Sequence, residues 1–105
     1  MTRALVVAEE RKLRRILQIV LEGLDIHSVV VTTAEEALET FGRQPFDLVL
    51  TDLKLPGMDA LALLPKLREI DADVPVIVLT AYATVPSTVD AMKLGASDYL
   101  IKPCN

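Results

Sequence analysis

The sequence predicts an α/β domain built on a parallel β-sheet. Short apolar segments of strand length alternate along the chain with longer segments whose apolar residues repeat at helical spacing. The segment Phe46–Thr51 is largely apolar apart from Asp47, which is typical of a strand buried on both faces of a parallel sheet. The chain has 105 residues, the size of one domain, so we predict a single domain over residues 1–105.

The first predicted unit is a short strand followed by an amphipathic helix. The strand covers Leu5–Val7 and runs into Ala8, Glu9 and Glu10. Apolar residues then repeat at helical spacing and form one stripe, with the charged residues mostly outside it. The stripe consists of Leu13, Ile16, Leu17, Val20, Leu21 and Leu24.

The second predicted unit begins with a β-branched strand, Ser28–Thr32. Thr33 and Glu36 then have the spacing of a capping box, in which two side chains satisfy backbone donors at a helix start. This pattern predicts a helix that runs through Phe41 and ends at Gly42.

The third helix should follow the strand Phe46–Thr51, with Asp59 as its N-cap residue. Pro65 removes one backbone donor inside this segment, so we expect a kink or a late start. The apolar residues at helical spacing are Leu61, Leu64, Leu67 and Ile70.

The rest of the chain predicts a fourth strand at Val74–Leu79, a helix with Pro86 at its first position and Gly95 as its C′ residue, and a fifth strand at Asp98–Ile101. Strands that alternate with helices form right-handed βαβ units. Five strands accompany only four helices, so we expect the final helix, which should cover the sheet beside the first helix, to be absent from this chain. Either an apolar strip exposed there pairs two copies of the chain, or the chain is truncated and its natural continuation supplies the helix.

The composition excludes several classes of function. Apolar residues make up 51% and charged residues 25% of the chain, and the net charge of −4 offers no basic surface for nucleic acid. Cys104 is the only cysteine, so no internal disulfide can form and a cytoplasmic setting is favoured. No apolar run approaches the roughly 18 residues of a membrane span. We interpret the following residues as solvated surface: His27, Arg11, Lys12, Arg14 and Arg15.

Three predicted strands end on chemically reactive residues. Asp52 follows the third strand, Thr80 the fourth and Lys102 the fifth. The carboxyl ends of parallel strands share the edge where α/β sheets bind ligands, so a carboxylate, a hydroxyl and an ammonium group could meet there, which suits phosphate. At the end of the first strand we expect an acidic pair that holds a metal, whereas the chain has Ala8 and then Glu9.

Over the whole chain these motifs resemble the receiver domain of bacterial two-component response regulators. The resemblance rests on the segments LVLTD, LKLPGMD, VIVLTA and KLGASDYLIKP and on the spacing between them. Among receivers, the chain looks most like those of sigma-54-dependent, NtrC-type transcription activators. The resemblance implies a flavodoxin-like, doubly wound sheet of five parallel strands in the order 2-1-3-4-5.

The resemblance also implies a role for each residue at the strand ends. Asp52 matches the phosphoacceptor, which a sensor histidine kinase charges in the presence of Mg²⁺. Thr80 matches the residue that donates a hydroxyl to one phosphoryl oxygen, and Lys102 the residue that brings a positive charge to another. Tyr99 matches a rotating aromatic switch residue; its alternative role is a strand aromatic packed under a helix. The resemblance further implies a cis peptide between Lys102 and Pro103.

A Mg²⁺ site is implied at Glu9, Asp52 and the backbone carbonyl of Lys54. Receivers of this pattern normally have two adjacent aspartates where this chain has Ala8 and Glu9, so we expect weaker metal binding. A register slip that pairs Glu9 with Glu10 would restore two acids, but it would misplace the helix stripe, and we reject it. A solvated Glu9 is the alternative to a metal ligand.

We therefore predict a regulatory receiver, not a turnover enzyme, that switches the face of its fourth helix and fifth strand to control an attached or separate transcriptional output domain. The alternative is an atypical receiver that acts as a protein interaction module without phosphorylation, because Ala8 weakens the metal site. A phosphatase fits poorly, because it needs a second aspartate where the chain has Lys54. A flavin carrier fits poorly, because Glu9 and Glu10 occupy the phosphate loop.

Overall fold

The computed structural model describes residues 2–80, 90, 92–93 and 95–101, with the backbone alone at Thr80 and Asp98–Ile101. Helices and strands alternate along the chain, and residues 90, 92 and 93 are also helical. The elements are β1 (Arg3–Val7), α1 (Arg11–Gly23), β2 (His27–Val31), α2 (Ala34–Arg43), β3 (Leu48–Asp52), α3 (Ala60–Ile70), β4 (Val76–Thr80) and β5 (Asp98–Ile101).

The five strands form one parallel sheet in the order β2-β1-β3-β4-β5, which confirms the predicted fold class. β1 pairs with β2 on one side and with β3 on the other, so Leu5 lies opposite both Val29 and Val49. β3 pairs in turn with β4, and β4 with β5. The strand that ends on Asp52 is therefore the central strand of the sheet.

Helices cover both faces of the sheet because side chains alternate along each strand. Leu5 and Val7 of β1 join a large core with α2 and α3, whereas Ala4 and Val6 join a smaller core that includes Leu21 of α1. None of the helices among the described residues is long and apolar enough to cross a membrane. The α3 residues that are fully buried in the large core are Ala60, Leu63, Leu64 and Leu67.

One side of α1 carries an apolar strip that the described residues leave open. Leu21 is buried, but Ile16, Val20 and Leu24 of the predicted stripe are 56%, 51% and 65% exposed. Ile19 extends this strip and is 58% exposed. The predicted stripe therefore divides into a part that packs on the sheet and a part on the surface of the described structure.

The third strand is shorter at its start than the sequence predicts and includes Asp52 at its end. β3 begins at Leu48, whereas we predicted Phe46–Thr51. Phe46 instead fills the core, where its ring stacks on Phe41 at a centroid distance of 6.1 Å. Phe46 is apolar because it packs in the core, although it does not belong to the strand. The sequence pattern does not distinguish these two reasons for an apolar residue.

The second helix confirms the predicted start and runs slightly past the predicted end. The Thr33 hydroxyl accepts a hydrogen bond from the Glu36 amide at 3.1 Å, as a capping residue does. The helix includes Gly42 and ends at Arg43, because Gln44 precedes Pro45 and takes an extended conformation with φ −148°. A residue before proline is restricted to such conformations, so Pro45 and not the glycine terminates the helix.

Pro65 neither delays nor divides α3, so the expectation of a late start was wrong. The helix begins at Ala60, directly after the N-cap Asp59, whose Oδ1 accepts a hydrogen bond from the Ala62 amide at 3.1 Å. It then continues through Pro65 to Ile70. Pro65 lies on the exposed side of the helix, where water can bond the carbonyl that loses its helical donor.

Candidate functional site

The carboxyl ends of four neighbouring strands form the edge at which the candidate residues lie. Val7 at the end of β1 pairs with Thr51, and Asp52 at the end of β3 pairs with Leu79 of β4. Thr80 at the end of β4 pairs with Ile101 of β5. This register brings Ala8, Asp52 and Thr80 to one edge on adjacent strands, as the sequence predicted.

Asp52 is the central side chain of this edge. It is only 7% exposed, and Asp52 and Thr51 are the buried polar residues of the described chain. The Thr51 hydroxyl donates a hydrogen bond to the Asp52 carbonyl at 3.0 Å and helps to hold the strand end. A carboxylate with so little solvent contact is stable only where positively charged or hydrogen-bonding groups surround it.

The turn between β1 and α1 begins with Ala8, at the position where we expected the first acid of a pair. Ala8 is fully buried, and its amide donates to the Val31 carbonyl at 3.1 Å, which keeps it in line with the strand. Glu9 and Glu10 follow and are exposed. The position that would carry the first acid of the pair is therefore apolar and enclosed, and Glu9 is the acid nearest along the chain.

Arg14 holds this turn in a way that the sequence did not predict. Its Nη1 donates to the carbonyl of Ala8 at 2.9 Å and to the carbonyl of Glu9 at 2.5 Å. We interpreted Arg14 as part of a solvated basic face, but it is half-buried and binds the backbone at the candidate site. Its acceptors are main-chain carbonyls, which carry no residue-type signal, so the sequence offered no cue.

The loop between β3 and α3 is anchored on both sides of Lys54. Leu53 and Leu55 are buried, whereas the Lys54 side chain is exposed between them. The Leu53 carbonyl accepts a hydrogen bond from the Ala60 amide at 3.0 Å, so the loop closes onto the start of α3. Gly57 supplies the positive φ, 75°, that this tight loop requires. The backbone at Lys54 is thereby held two residues from Asp52.

The remaining predicted residues divide between described and undescribed positions. Thr80 is the last residue of β4, and Tyr99 lies in β5 opposite Val78. Lys102, the cis peptide before Pro103 and the predicted helix start at Pro86 lie outside the described residues, whereas residues 90, 92 and 93 of that helix are helical. His27 is the exposed first residue of β2, in agreement with its interpretation as surface.

The donor set at this edge is suited to a hard cation that keeps water ligands. Within the described ranges no three His, Cys, Asp or Glu side chains lie close enough to form a metal cluster. Asp52 ends β3, and Glu9 is the first acid after the end of the adjacent strand β1. A Mg²⁺ ion usually binds one or two carboxylates and retains several waters, so this set fits Mg²⁺ in number and chemistry.

Comparison with known proteins identifies a family that matches almost the whole chain. The family described as "Response regulator receiver domain" matches residues 4–105. The chain is 43% identical over 84 residues to the regulatory protein LuxO of Vibrio cholerae, which covers 80% of this chain and 18% of that protein. It is 39% identical over 99 residues to the transcriptional regulatory protein ZraR of Escherichia coli K12, which covers 94% of this chain and 22% of that protein. These relatives are NtrC-type sigma-54 activators, and the chain spans about a fifth of their length.

One solved structure with the same fold contains a phosphorylated aspartate. A response regulator protein from Burkholderia pseudomallei was crystallised with a phosphorylated aspartic acid, a calcium ion and citrate. It is 30% identical to this chain and superimposes with a TM-score of 0.92, covering all of this chain and 62% of that protein.

Proposed function

The chain belongs to the response regulator receiver family, and from that premise we propose that it accepts a phosphoryl group on Asp52. The observation that carries this proposal is the position of Asp52, which is buried at the carboxyl end of the central strand. Glu9 follows the neighbouring strand on one side, and Thr80 ends the neighbouring strand on the other. The phosphorylated aspartic acid in the related B. pseudomallei protein supports this assignment.

The chemistry needs one nucleophile and compensation of charge. A carboxylate oxygen of Asp52 attacks the phosphorus of a phosphohistidine; a P–O bond forms, the P–N bond breaks, and the imidazole leaves with the electron pair and takes up a proton from solvent. The product is an acyl phosphate. Most of the rate enhancement in such transfers comes from positioning and from neutralising the phosphoryl oxygens, so the neighbours of Asp52 determine its efficiency.

We assign the metal site to Glu9, Asp52 and the backbone carbonyl of Lys54, with water as the remaining ligands. Bound Mg²⁺ would supply positive charge to the phosphoryl oxygens. The buried Ala8 removes one carboxylate from this set, so Mg²⁺ affinity should be lower than in receivers with two acids. Arg14 holds the turn that presents Glu9, and its charge lies at the same turn.

Thr80 and Lys102 complete the site. The Thr80 hydroxyl donates a hydrogen bond to one phosphoryl oxygen, and the Lys102 ammonium group neutralises another. Tyr99, on the strand beside Thr80, acts as the switch residue and transmits the change to the face that carries β5. This assignment is supported by the pairing of β4 with β5.

The partners are assigned from the family and the chain length. A sensor histidine kinase supplies the phosphoryl group, and an output domain, attached or separate, reads the switch. Relatives that are transcriptional regulators about five times as long as this chain support a transcriptional output and a cytoplasmic setting. The solved beryllofluoride-activated NtrC4 receiver domain, 30% identical to this chain, is a dimer and supports contact with a second copy of the chain, and the net charge of −4 argues against direct contact with nucleic acid.

The decisive experiment is phosphorylation by acetyl phosphate, read as intact mass. With Mg²⁺ the protein should gain the mass of one phosphoryl group, and chelator should abolish the adduct. Asp52→Asn should remove the adduct, whereas Asp73→Asn, which removes an exposed carboxylate near the opposite edge of the sheet, should retain it. An adduct that persists in Asp52→Asn would contradict the assignment.

A phosphorylation-independent interaction module is the second candidate. The observation that favours it is the enclosed Ala8, which takes one acid out of the metal site. A folded wild-type protein that gains no mass at saturating Mg²⁺ and acetyl phosphate would favour this candidate over the first.

A further inference from the structure

A second arginine binds backbone groups at the opposite edge of the sheet. Arg68 lies in the last turn of α3 and is half-buried. Its Nε and Nη2 donate to the Gly95 carbonyl at 3.0 and 2.5 Å, and its Nη1 donates to the Val74 carbonyl. Its Nη2 also lies 3.5 Å from the Ser97 hydroxyl. One guanidinium thus joins the segment before β4 to the segment before β5.

The carbonyl acceptor before β4 is set by a local turn. The side chain of Asp71, the C-cap of α3, accepts hydrogen bonds from the amides of Asp73 and Val74 at 2.9 and 3.2 Å. This Asx-type turn reverses the chain after α3. It holds the Val74 carbonyl within reach of Arg68.

The acceptor before β5 depends on a glycine. Gly95 has φ 111°, and its amide bonds the Met92 carbonyl at 3.2 Å, as expected of the predicted C′ residue. A Cβ atom at this position would lie 2.9 Å from Arg68 Nε, so a side chain here would displace the guanidinium. Gly95 therefore provides both the backbone conformation and the space that this contact requires.

Ser97 couples the same turn to the first residue of β4. Its amide donates to the Val76 carbonyl at 2.7 Å, and its hydroxyl accepts from the Val76 amide at 3.1 Å. Ala96, which lies between Gly95 and Ser97, is buried in the core with Leu67 of α3. The start of β5 is thus aligned with the start of β4 by Ser97, and Arg68 ties both to α3.

This alignment extends along the two strands to the candidate site. The pairing begins at Ile77 with Asp98 and ends at Thr80 with Ile101. β5 has four residues and spans about 10 Å, so a shift of β5 at its start is carried to its end. Thr80 and Ile101 form the last pair of this register, so the turn bound by Arg68 acts on how the end of β5 lies beside the end of β4.

Arginine is suited to this contact because its planar guanidinium offers five donors in a fixed geometry. Backbone carbonyl oxygens carry partial negative charge, so a cation can bind them by charge-assisted hydrogen bonds without a carboxylate partner. Lysine would offer a point charge on a flexible stem and could not bond Gly95 and Val74 with the same geometry.

We propose that Arg68 is a positioning residue for the candidate site: by holding the turn before β5, it sets the alignment of β5 on β4, and so places the end of β5, which Lys102 follows in the sequence, beside Thr80. The role of these two groups in phosphoryl transfer rests on the proposed function. The alignment itself rests on the contacts of Arg68, Gly95 and Ser97 and can be measured without phosphorylation.

The test compares Arg68→Met with Arg43→Met in the full chain by hydrogen exchange and mass spectrometry. Arg43 is the matched control, because it lies in the last turn of α2, is exposed and pairs with Glu39 of its own helix. In Arg68→Met the amides of residues 97–101 should exchange about tenfold faster while those of α1 and β1 keep their rates. Arg68→Lys should fall between the two, and Arg43→Met should match the wild type.

A second measurement in the same variants concerns the site itself. Phosphorylation of Arg68→Met by acetyl phosphate at saturating Mg²⁺ should be slowed several-fold, while direct Mg²⁺ titration should give an unchanged affinity, because Glu9 and Asp52 are untouched. If Arg68→Met does not fold, Arg68→Lys is compared with the control in the same way.

Several results would overturn the proposal. Exchange at residues 97–101 that matches the wild type, or exchange that rises equally in every element, would mean that Arg68 does not align β5 or only adds global stability. Local acceleration with an unchanged phosphorylation rate would remove the role at the site. If the wild type accepts no phosphoryl group, the proposed function fails, and the exchange of β5 still decides whether Arg68 aligns the strand.

Discussion

The guanidinium of Arg14 donates a hydrogen bond to the carbonyl of Ala8 at 2.9 Å, so the residue that departs from the family pattern is held by a cation from α1. The same nitrogen bonds the carbonyl of Glu9. The turn therefore keeps a defined backbone although it lacks its first acid. This relationship makes the stability of the turn and its metal affinity separable by mutation.

Replacement of Arg14 should destabilise the protein. Arg14→Ala removes two charge-assisted hydrogen bonds to the turn, and we expect the free energy of unfolding to fall by about 1.5–3 kcal/mol. Arg15→Ala, on the exposed side of the same helix, should change it by about 0.5 kcal/mol or less. Urea denaturation of both variants measures the difference, and equal losses would contradict the role assigned to Arg14.

Ala8→Asp should lower the stability of the metal-free protein and raise its affinity for Mg²⁺. In Ala8→Asp a carboxylate enters a fully buried position, so with chelator present we expect a loss of about 1–3 kcal/mol. Mg²⁺ should bind about tenfold more tightly than in the wild type, because one further carboxylate faces the ion, and saturating Mg²⁺ should restore stability. Ala8→Asn controls for size and should show no gain in affinity. Identical Mg²⁺ titrations for Ala8→Asp and the wild type would refute our interpretation of position 8.

Substitution by alanine should change the stability of the protein in opposite directions at two glycines. Gly42 lies within α2 with open space around it, so Gly42→Ala should stabilise the protein by about 0.5–1 kcal/mol. Gly95→Ala places a Cβ against Arg68 at a positive φ, so it should destabilise by about 1–3 kcal/mol. Thermal or urea denaturation tests both signs. A stabilising Gly95→Ala would show that the turn before β5 does not require the observed conformation.

The contact between Gly95 and Arg68 should also appear as non-additivity. In Arg68→Ala the clash with a new Cβ at position 95 is relieved, so Gly95→Ala should destabilise that background less than it destabilises the wild type. We expect a coupling energy of about 0.5–3 kcal/mol from the double-mutant cycle. Additive effects would mean that only the backbone conformation of Gly95 matters.

Removal of the side chain that caps the start of α3 should lower the stability of the protein. Asp59 accepts a hydrogen bond from the Ala62 amide, so Asp59→Ala should lower the free energy of unfolding by about 1 kcal/mol. Asp73→Ala, in an exposed loop, is the control and should have little effect. Equal unfolding midpoints for the two variants would contradict the capping role.

Local sequence signals determined the elements of this fold. The alternation of strand-like and helical segments predicted all five strands, and Thr33 and Asp59 cap the helices that their patterns indicated. These signals are short-range, because a cap acts within one helical turn and periodicity acts within one element. The resemblance to receivers then supplied the strand order, which the structure confirms, and it predicts the roles of the strand-end residues.

Only the tertiary structure decided how the ends of the sheet are held. Arg14 and Arg68 are basic residues of helices, as Arg15 and Arg43 are, and nothing in the sequence distinguishes the first two from the other two. The fold brings the first pair against backbone carbonyls, while Arg43 pairs within its own helix. A carbonyl is present at every residue, so its use as an acceptor leaves no trace in residue type, and only the packing of helices on the sheet selects which arginine binds it.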